Sequence, residues 1–333
     1  MNHQLVGIDV SAKTLVVAIE QTTGDPLFLE FPNTPAGHKG LVRRLNKQGR
    51  SARVCLEATG VYSLGVAMAL HNAPRIEVMV INPKAAAHFA KACLQRSKTD
   101  LVDAALLLEF ARRMDFSPWQ PPSPERLELR ALARRMVGLI KMKAQEKNRL
   151  HAAQAARMLP GAVRKDIQVN IKHLQRRIER LKAQAVALIQ KHPELQQALG
   201  TIISVRGIAT MSGIQILAEI AVLPQDMGPR QWVAHAGLDP RHTVSGTSVL
   251  KPARISKAGN IYLRRALFMP ALAAIRFEPR VNAFYQDLLE RGKKPLQALV
   301  AIMRKLLHAL HGMLRHEQSF DGERFYATSA RTP

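Results

Sequence analysis

Asp9, Glu57, Asp100 and Asp103 are four carboxylates at the expected ends of structural elements in an otherwise strongly basic chain. The 333 residues carry 49 Lys+Arg against 25 Asp+Glu, a formal net charge of +24. A protein that holds polyanions has little use for clustered acids unless those acids hold a divalent cation against a phosphate. Carboxylates a few ångströms apart repel by roughly 4 kcal/mol per pair at an effective dielectric of about 20. Hard oxygen ligands suit Mg²⁺, which removes that penalty. Two such ions can flank an in-line phosphoryl displacement. The chemistry is metal-assisted breakage or transfer of phosphodiesters.

A second cluster has the opposite sign. Between Pro240 and Phe277 there is no acid, while Arg241, Lys251, Arg254, Lys257, Arg264, Arg265 and Arg276 supply seven formal positive charges. The planar fork of arginine suits bidentate phosphate contacts. Arg241, Lys251, Arg254, Lys257, Arg264 and Arg265 are therefore the candidate nucleic-acid contacts. Ser245, Ser248 and Ser256 lie in this field, where an attacking alkoxide and a pentavalent phosphorus can be stabilised electrostatically. Composition alone does not separate a reacting serine from one that binds phosphate in a basic loop.

The elements that must position the acids read as α/β. Strand-like runs cover Leu5 to Asp9, Leu15 to Ile19 and Leu27 to Phe31, the last entered through Gly24-Asp25-Pro26. Thr34 is placed to cap a helix running through Leu45. A fourth strand, Arg53 to Glu57, ends at Ala58-Thr59-Gly60, and a fifth runs from Ile76 to Ile81, with a helix between them. Two further helices fill Pro83 to Met114. This is the order of an RNase H-like fold, in which the first and fourth strands are neighbours. Asp9 and Glu57 then end adjacent strands. Asp100 and Asp103 share one face at a helix start, where Asp100 has the alternative role of N-cap.

Charge divides the chain. Residues 1–120 hold 14 Lys+Arg and 10 Asp+Glu, whereas residues 121–333 hold 35 and 15. Between these halves, Ser117 to Pro124 contains four prolines in eight residues, a stiff linker. A helix is expected from Glu125 to about Met158 and another from about Val163 to Lys191, broken by Pro160-Gly161. In the second, Ile167, Ile171, Leu174, Ile178, Leu181, Ala185 and Leu188 recur at coiled-coil spacings. Leu199 to Ile220, with Val205-Arg206-Gly207-Ile208, resembles a helix-hairpin-helix, a motif whose backbone amides meet phosphate, although Ala209 stands where a second glycine is usual.

The expected layout is α/β plus α. An RNase H-like domain spans residues 1–116, with a linker over 117–124 and a coiled-coil hairpin over 125–195. A mainly helical domain with the serine spans 196–318, followed by a tail over 319–333. No apolar run approaches the roughly 20 residues of a membrane span, and no signal peptide is evident. Cys55 and Cys93 form no metal-spaced pair. A cytoplasmic nucleic-acid protein is expected.

Gly7-Ile8-Asp9-Val10-Ser11-Ala12-Lys13 also looks like the first phosphate loop of actin-like sugar kinases, but no second Gly-rich loop follows. A fuller resemblance runs in order from about residue 5 to 315. Gly7-Ile8-Asp9, Glu57-Ala58-Thr59-Gly60, Ile81-Asn82-Pro83 and Lys98-Thr99-Asp100-x-x-Asp103-Ala104 resemble the RuvC-like half of the DEDD transposases, insertion-sequence recombinases related to the pilin-inverting invertase. Ala236-Gly237-Leu238-x-Pro240, Ser245-Gly246 and Ser256-Lys257-x-Gly259-Asn260-x-x-Leu263-Arg264 resemble that family's C-terminal domain.

The resemblance puts the family's metal-binding tetrad on Asp9, Glu57, Asp100 and Asp103 and its nucleophile on Ser245. It implies Mg²⁺ and recombination of double-stranded target and donor DNA, guided by a structured (bridge) RNA through a phosphoserine intermediate. It further implies homodimers that assemble into a homotetramer, the acidic site of one protomer meeting the serine of another. Departures are Ala209 and Val249-Leu250, the latter standing where basic residues follow Ser248 in the family. The rival readings are a metal-dependent junction nuclease with no covalent step and a non-catalytic nucleic-acid-binding scaffold.

Overall fold

The computed structural model describes residues 3–60, 62–95, 97, 99–155, 160–245 and 249–326, with backbone alone for 48, 242–245 and 249–253. The chain forms two compact units, Met1–Pro121 and Pro122–Pro333.

The first unit contains β1 (Gln4–Val10), β2 (Thr14–Ile19), β3 (Leu27–Pro32), α1 (Pro35–Leu45), β4 (Ala52–Glu57), α2 (Tyr62–His71), β5 (Ile76–Ile81), α3 (Pro83–Ala92) and α4 (Asp100–Arg113). The strands form one mixed sheet in the order β3-β2-β1-β4-β5. β1, β2 and β3 pair antiparallel, while β4 runs parallel to β1 and to β5. That is the order expected of an RNase H-like domain.

Strand side chains alternate between faces, and the two faces have different partners. Val6, Ile8, Val10, Val54 and Leu56 pack with Leu41, Leu45, Val66 and Leu70 of α1 and α2. Cys55, Met79 and Ile81 pack on the other face with Leu107 and Ala111 of α4. Thr34 caps α1, its hydroxyl accepting from the Gly37 amide at 3.2 Å. Trp119 belongs to this unit: its amide donates to the Val78 carbonyl at 2.6 Å and its ring meets His71 edge-on.

The second unit begins with α5 (Pro124–Ala155) and α6 (Gly161–Gln190), followed by α7 (Pro193–Ile203), α8 (Thr210–Ile220) and α9 (Pro229–His235). Then come β6 (Pro240–Ser245), β7 (Val249–Ile255), α10 (Ile261–Phe277), α11 (Pro279–Glu290), α12 (Pro295–Arg315) and the short α13 (Gly322–Phe325). α5 and α6 pack along one another as a helical hairpin. On α6 the buried positions are Leu174, Ile178, Ala185 and Ile189. Leu188, which the periodicity assigns to the seam, is only half-buried, and Ile167 and Ile171 at the far end are half-buried too. The expected extension of α5 to Met158 lies outside the described residues.

The core of this unit gathers α7, α8, α10 and α12 around Ile202, Ile214, Leu217, Leu267, Ile302 and Leu306. Its turn at Gly207 is a packing device. Gly207 has φ +106°, and an added Cβ would sit 2.5 Å from the Ala274 amide nitrogen. The glycine therefore lets this turn lie directly on the backbone of α10.

Candidate active site and basic interface

The acidic site begins with a glycine. Gly7 and Asp9 are two apart on β1 and so share the face that carries α4. A Cβ on Gly7 would lie 2.2 Å from the Ala104 carbonyl oxygen and 2.3 Å from the Leu108 amide nitrogen. The helix backbone thus rests on the strand where β1 has no side chain. The first turn of α4, with Asp100 and Asp103, comes beside Asp9 as a result.

Glu57 arrives by register. β1 and β4 pair from Gln4 with Ala52 to Ile8 with Leu56, and the same offset sets Asp9 level with Glu57. Cys55, two residues before Glu57, packs on the α4 face. After Glu57 the chain turns sharply: the Thr59 amide donates to the Glu57 carbonyl at 2.9 Å, and Gly60 has φ +66°. β1 is closed off by Ser11, whose hydroxyl accepts from the Thr14 amide at 3.0 Å.

Electrostatics register the convergence. The Asp9 carboxyl is pushed up from 3.8 to about 6, first by burial and then by Asp100, Asp103 and Glu57. The opposing influence is the Val10 amide. Burial and neighbouring like charges both disfavour the anion. An added cation would reverse that balance, and four carboxylates are a hard-oxygen donor set suited to a divalent ion. Asp100 is exposed while Asp9, Glu57 and Asp103 are half-buried. A cleft of about 530 Å³ runs past Asp100 between α4 and the β2–β3 edge, lined by Phe28, Leu29, Glu30, Thr99 and Leu101. The N-cap of α4 is Thr99, whose hydroxyl accepts from the Val102 amide at 3.3 Å, and not Asp100. Asp100 occupies the first helical position.

Among the described residues a tighter trio of ligand atoms occurs elsewhere. Glu125, His192 and Glu194 bring theirs within 4.8 Å of one another at the start of α5 and the α6–α7 turn. Glu125 already accepts from the Ser123 hydroxyl, and Glu194 is exposed.

In the second unit Ser245 stands on a strand, not in the basic loop its composition suggests. It is the last paired residue of β6, opposite Val249 of β7. The β-branched Thr243, Val244 and Val249 were the local signal for this hairpin. Ser248 lies outside the described residues. Lys251 pairs with Thr243, and Arg241 stands directly across from Arg254. Like charges so opposed destabilise a hairpin, and an anion between them would relieve it. Ser256 is committed to the fold: its hydroxyl donates to the Asp239 carboxylate at 2.5 Å. Arg264 is partly committed, one Nη donating to the Ala236 carbonyl at 2.7 Å. Arg265 and Lys257 are exposed, the latter at φ +54°.

A buried polar network fixes this basic loop. Glu219, 2% exposed, accepts two hydrogen bonds from Arg134 of α5, each 2.8 Å. It also accepts from the Asn260 side chain at 2.6 Å. Asn260 in turn caps α10, its oxygen accepting from the amides of Tyr262 and Leu263 at 2.9 and 3.1 Å. The Arg134 guanidinium lies 4.5 Å from the Tyr262 ring centroid, and hydrogen bonding to Glu219 raises its pKa. His235, beside Asn260, is lowered by burial. Sequence reasoning missed Glu219, Arg134 and His235. The one available signal was a lone charge in an apolar helix, Glu219 within Thr210–Ile220.

Comparison with known proteins covers both units. A DEDD transposase model of the IS110 type, described as a transposase, matches residues 6–156. The model of the transposase IS116/IS110/IS902 family matches residues 200–286. The chain is 30% identical over 328 residues to the pilin gene-inverting protein of Moraxella lacunata, which covers 96% of this chain and 98% of that one. The pilin gene-inverting protein of Moraxella bovis is 28% identical over 329 residues, with the same coverage. An uncharacterized 43.6 kDa protein of insertion element IS110 from Streptomyces coelicolor is 32% identical over 143 residues, 43% of this chain and 34% of that protein.

Proposed function

Since the chain belongs to the IS116/IS110/IS902 transposase family and is a DNA transposase or recombinase, we propose that it exchanges DNA strands through a covalent phosphoserine formed on Ser245. The observation that carries the metal-assisted half of the reading is the convergence of the Asp9 and Glu57 strand ends with the start of α4, where burial first, and then Asp100, Asp103 and Glu57, raises the Asp9 carboxyl to about 6. Such a site favours a divalent cation, and the family implies one. With Mg²⁺ bound, the tetrad would offer a positive centre for the phosphate and for the leaving oxygen.

The serine step is a displacement at phosphorus. The Ser245 oxygen forms a P–O bond as the bond to a deoxyribose oxygen breaks. The hydroxyl proton passes to water or a carboxylate, and the released strand end takes one up. Attack by a second strand's hydroxyl then frees the serine, so no water is consumed and strands are exchanged. Arg241, Lys251, Arg254, Lys257, Arg264 and Arg265 hold the phosphates; the Arg241–Arg254 opposition supports this role.

The reading extends to organisation. Residues 1–116 are the catalytic RuvC-like domain, 125–195 a dimerising coiled-coil hairpin and 196–318 the domain carrying the serine. Apolar side chains left exposed on the hairpin, Met142 at 44% and Val169 at 54%, support the hairpin's role. A homotetramer, with the acids of one protomer serving the serine of another, pairs target and donor DNA under a structured guide RNA. The charge split between the halves supports this division.

The test is adduct trapping with protein, guide RNA, both DNAs and Mg²⁺, resolved under denaturing conditions. The parent chain is expected to trap a protein–DNA adduct, and Ser245→Ala none. Cleavage by Ser245→Ala at the parent's rate would replace this reading with a junction nuclease. Metal-independent binding with no strand breakage would leave only a scaffold.

A further inference from the structure

We propose that a groove between α10 and α12 of the second unit seats an unpaired stretch of nucleic acid, its phosphates on the groove's cations and one base on Phe268 and Met269. The groove encloses about 970 Å³, near the top of the roughly 300–1,000 Å³ typical of small-molecule sites. Its charged lining is all cationic: Arg254, Lys257, Arg265, Lys293, Lys294 and Arg304, together with the partly committed Arg264.

Its floor is apolar and open. Phe268 is 39% exposed, Met269 63% and Leu296 63%. Large apolar side chains left open beside seven cations call for a ligand that is anionic and also has an uncharged face. A duplex presents phosphates and groove edges with its base faces stacked away, and would leave Phe268 idle. An unpaired nucleotide offers both parts, because any base can stack on an aromatic or apolar side chain. The geometry of the loop favours the same ligand. Lys257 is held in the left-handed region at φ +54° by its amide's hydrogen bond to the Gly237 carbonyl, 3.0 Å, and so stands at the rim. Arg254 of the groove stands across from Arg241 on the hairpin, so a second guanidinium-bearing position adjoins the lining.

This inference rests on the reading of the chain as a nucleic-acid recombinase, and names a part of the substrate that reading leaves open. The test uses the full chain and fluorescence anisotropy at fixed salt. The probes are eight-nucleotide deoxythymidine and uridine strands, an abasic strand with the same phosphates, and a blunt duplex. The base-bearing strands are expected to bind about tenfold more tightly than the abasic one. Phe268→Ala is expected to abolish that preference while leaving duplex affinity unchanged. A 5-iodouridine strand should crosslink to the tryptic peptide Ala266–Arg276. Both positions are exposed, and a thermal melt establishes that the variant is folded.

Equal affinity for base-bearing and abasic strands, or a preference that survives in Phe268→Ala and in Met269→Ala, overturns the proposal. A preference for deoxythymidine over uridine, or the reverse, decides whether DNA or guide RNA supplies the nucleotide; either supports it. If Phe268→Ala changes the sedimentation coefficient and not oligonucleotide binding, the groove is a protein contact and the proposal fails. Failure to bind any of the four probes would instead remove the recombinase reading beneath it.

Discussion

The two chemically charged regions of this molecule are built in opposite ways. The acidic site in the first unit is a product of regular elements: two strand ends, one helix start and a glycine that lets them meet. The basic region in the second unit runs over a two-stranded hairpin, a short irregular stretch and the start of α10, the last two held by the Arg134–Glu219 pair and a capping asparagine. In the first, Asp9 is buried and like charges are brought beside it, and together these raise its pKa. In the second, a single acid, Glu219, is buried among cations and organises them. A site for a small hard cation needs fixed geometry. A surface for a polymer needs charge and a firm foundation beneath it.

Four substitutions probe that contrast. The largest effect is expected at Glu219. Glu219→Ala unpairs the Arg134 guanidinium and loosens the α10 cap, at a cost of about 3 kcal/mol, the low end for a broken pair because Arg134 is 38% exposed, measured by urea unfolding of the full chain. Unfolding of the first unit, followed by limited proteolysis, should be unaffected. A loss below about 1 kcal/mol would mean the network is not what holds the basic loop.

Gly7→Ala comes next. Its Cβ would clash with the backbone of α4, so the helix must shift, at about 2–3 kcal/mol, and Asp100 and Asp103 shift with it. Recombination should fall even where the protein stays folded. Full activity and unchanged stability in this variant would disprove the account of how the acids converge.

Asp9→Asn separates stability from activity. The folded pKa of Asp9, about 6, exceeds the usual 3.8, so the native state holds this proton more tightly than the unfolded chain does. Stability from this group is present below pH 3.8 and is lost as pH rises through about 6. Metal-free Asp9→Asn should therefore be more stable than the parent at pH 8, by about 1 kcal/mol after allowing for solvent screening, or about 4 °C in melting temperature. The gain should vanish by pH 4, while recombination is lost at every pH. A variant that melts lower than its parent at pH 8 would contradict the raised pKa.

The smallest effect has the opposite sign to Gly7→Ala. Gly138 lies within α5, and a Cβ there meets nothing within 4 Å. Gly138→Ala should stabilise the second unit by roughly 0.5–1 kcal/mol through helix propensity alone. A destabilised variant would indicate that this face of the hairpin is occupied in the protein's assembly.

Much of the first unit was legible in the chain. Alternation of apolar residues marked all five strands within a residue or two, and Thr34 marked the start of α1. Local periodicity suffices where a strand is half-buried on each face. The tetrad was legible as residue types at element ends, but Gly7 was not understood as the reason they converge. Its role depends on the Ala104 and Leu108 backbone, nearly a hundred residues away. Thr99 as the cap in place of Asp100 turned on which residue is the last with extended backbone, Thr99 at φ −142°, and spacing does not report that.

The second unit was less legible, and Ser245 shows why. A basic, serine-rich stretch reads as a loop, yet the backbone pairs it into a two-stranded hairpin. The turn at Gly207 read equally as a phosphate contact or as packing, and the close approach of Ala274 of α10 to a Cβ there was not visible in the sequence. Arg264 looked like a surface cation, and one arm is spent on the Ala236 carbonyl.

By itself the sequence determined the charge division, the run of strands and helices in the first unit, and which residue types end up at their termini. These follow from local propensity and periodicity, which each segment carries within itself. Only the tertiary structure decided that Asp9 would be half-buried among three acids, that Glu219 would anchor the basic loop, and that Phe268 and Leu296 would line one groove. Each depends on the approach of backbones distant in sequence, and that approach is set by packing over the whole unit and by no single segment.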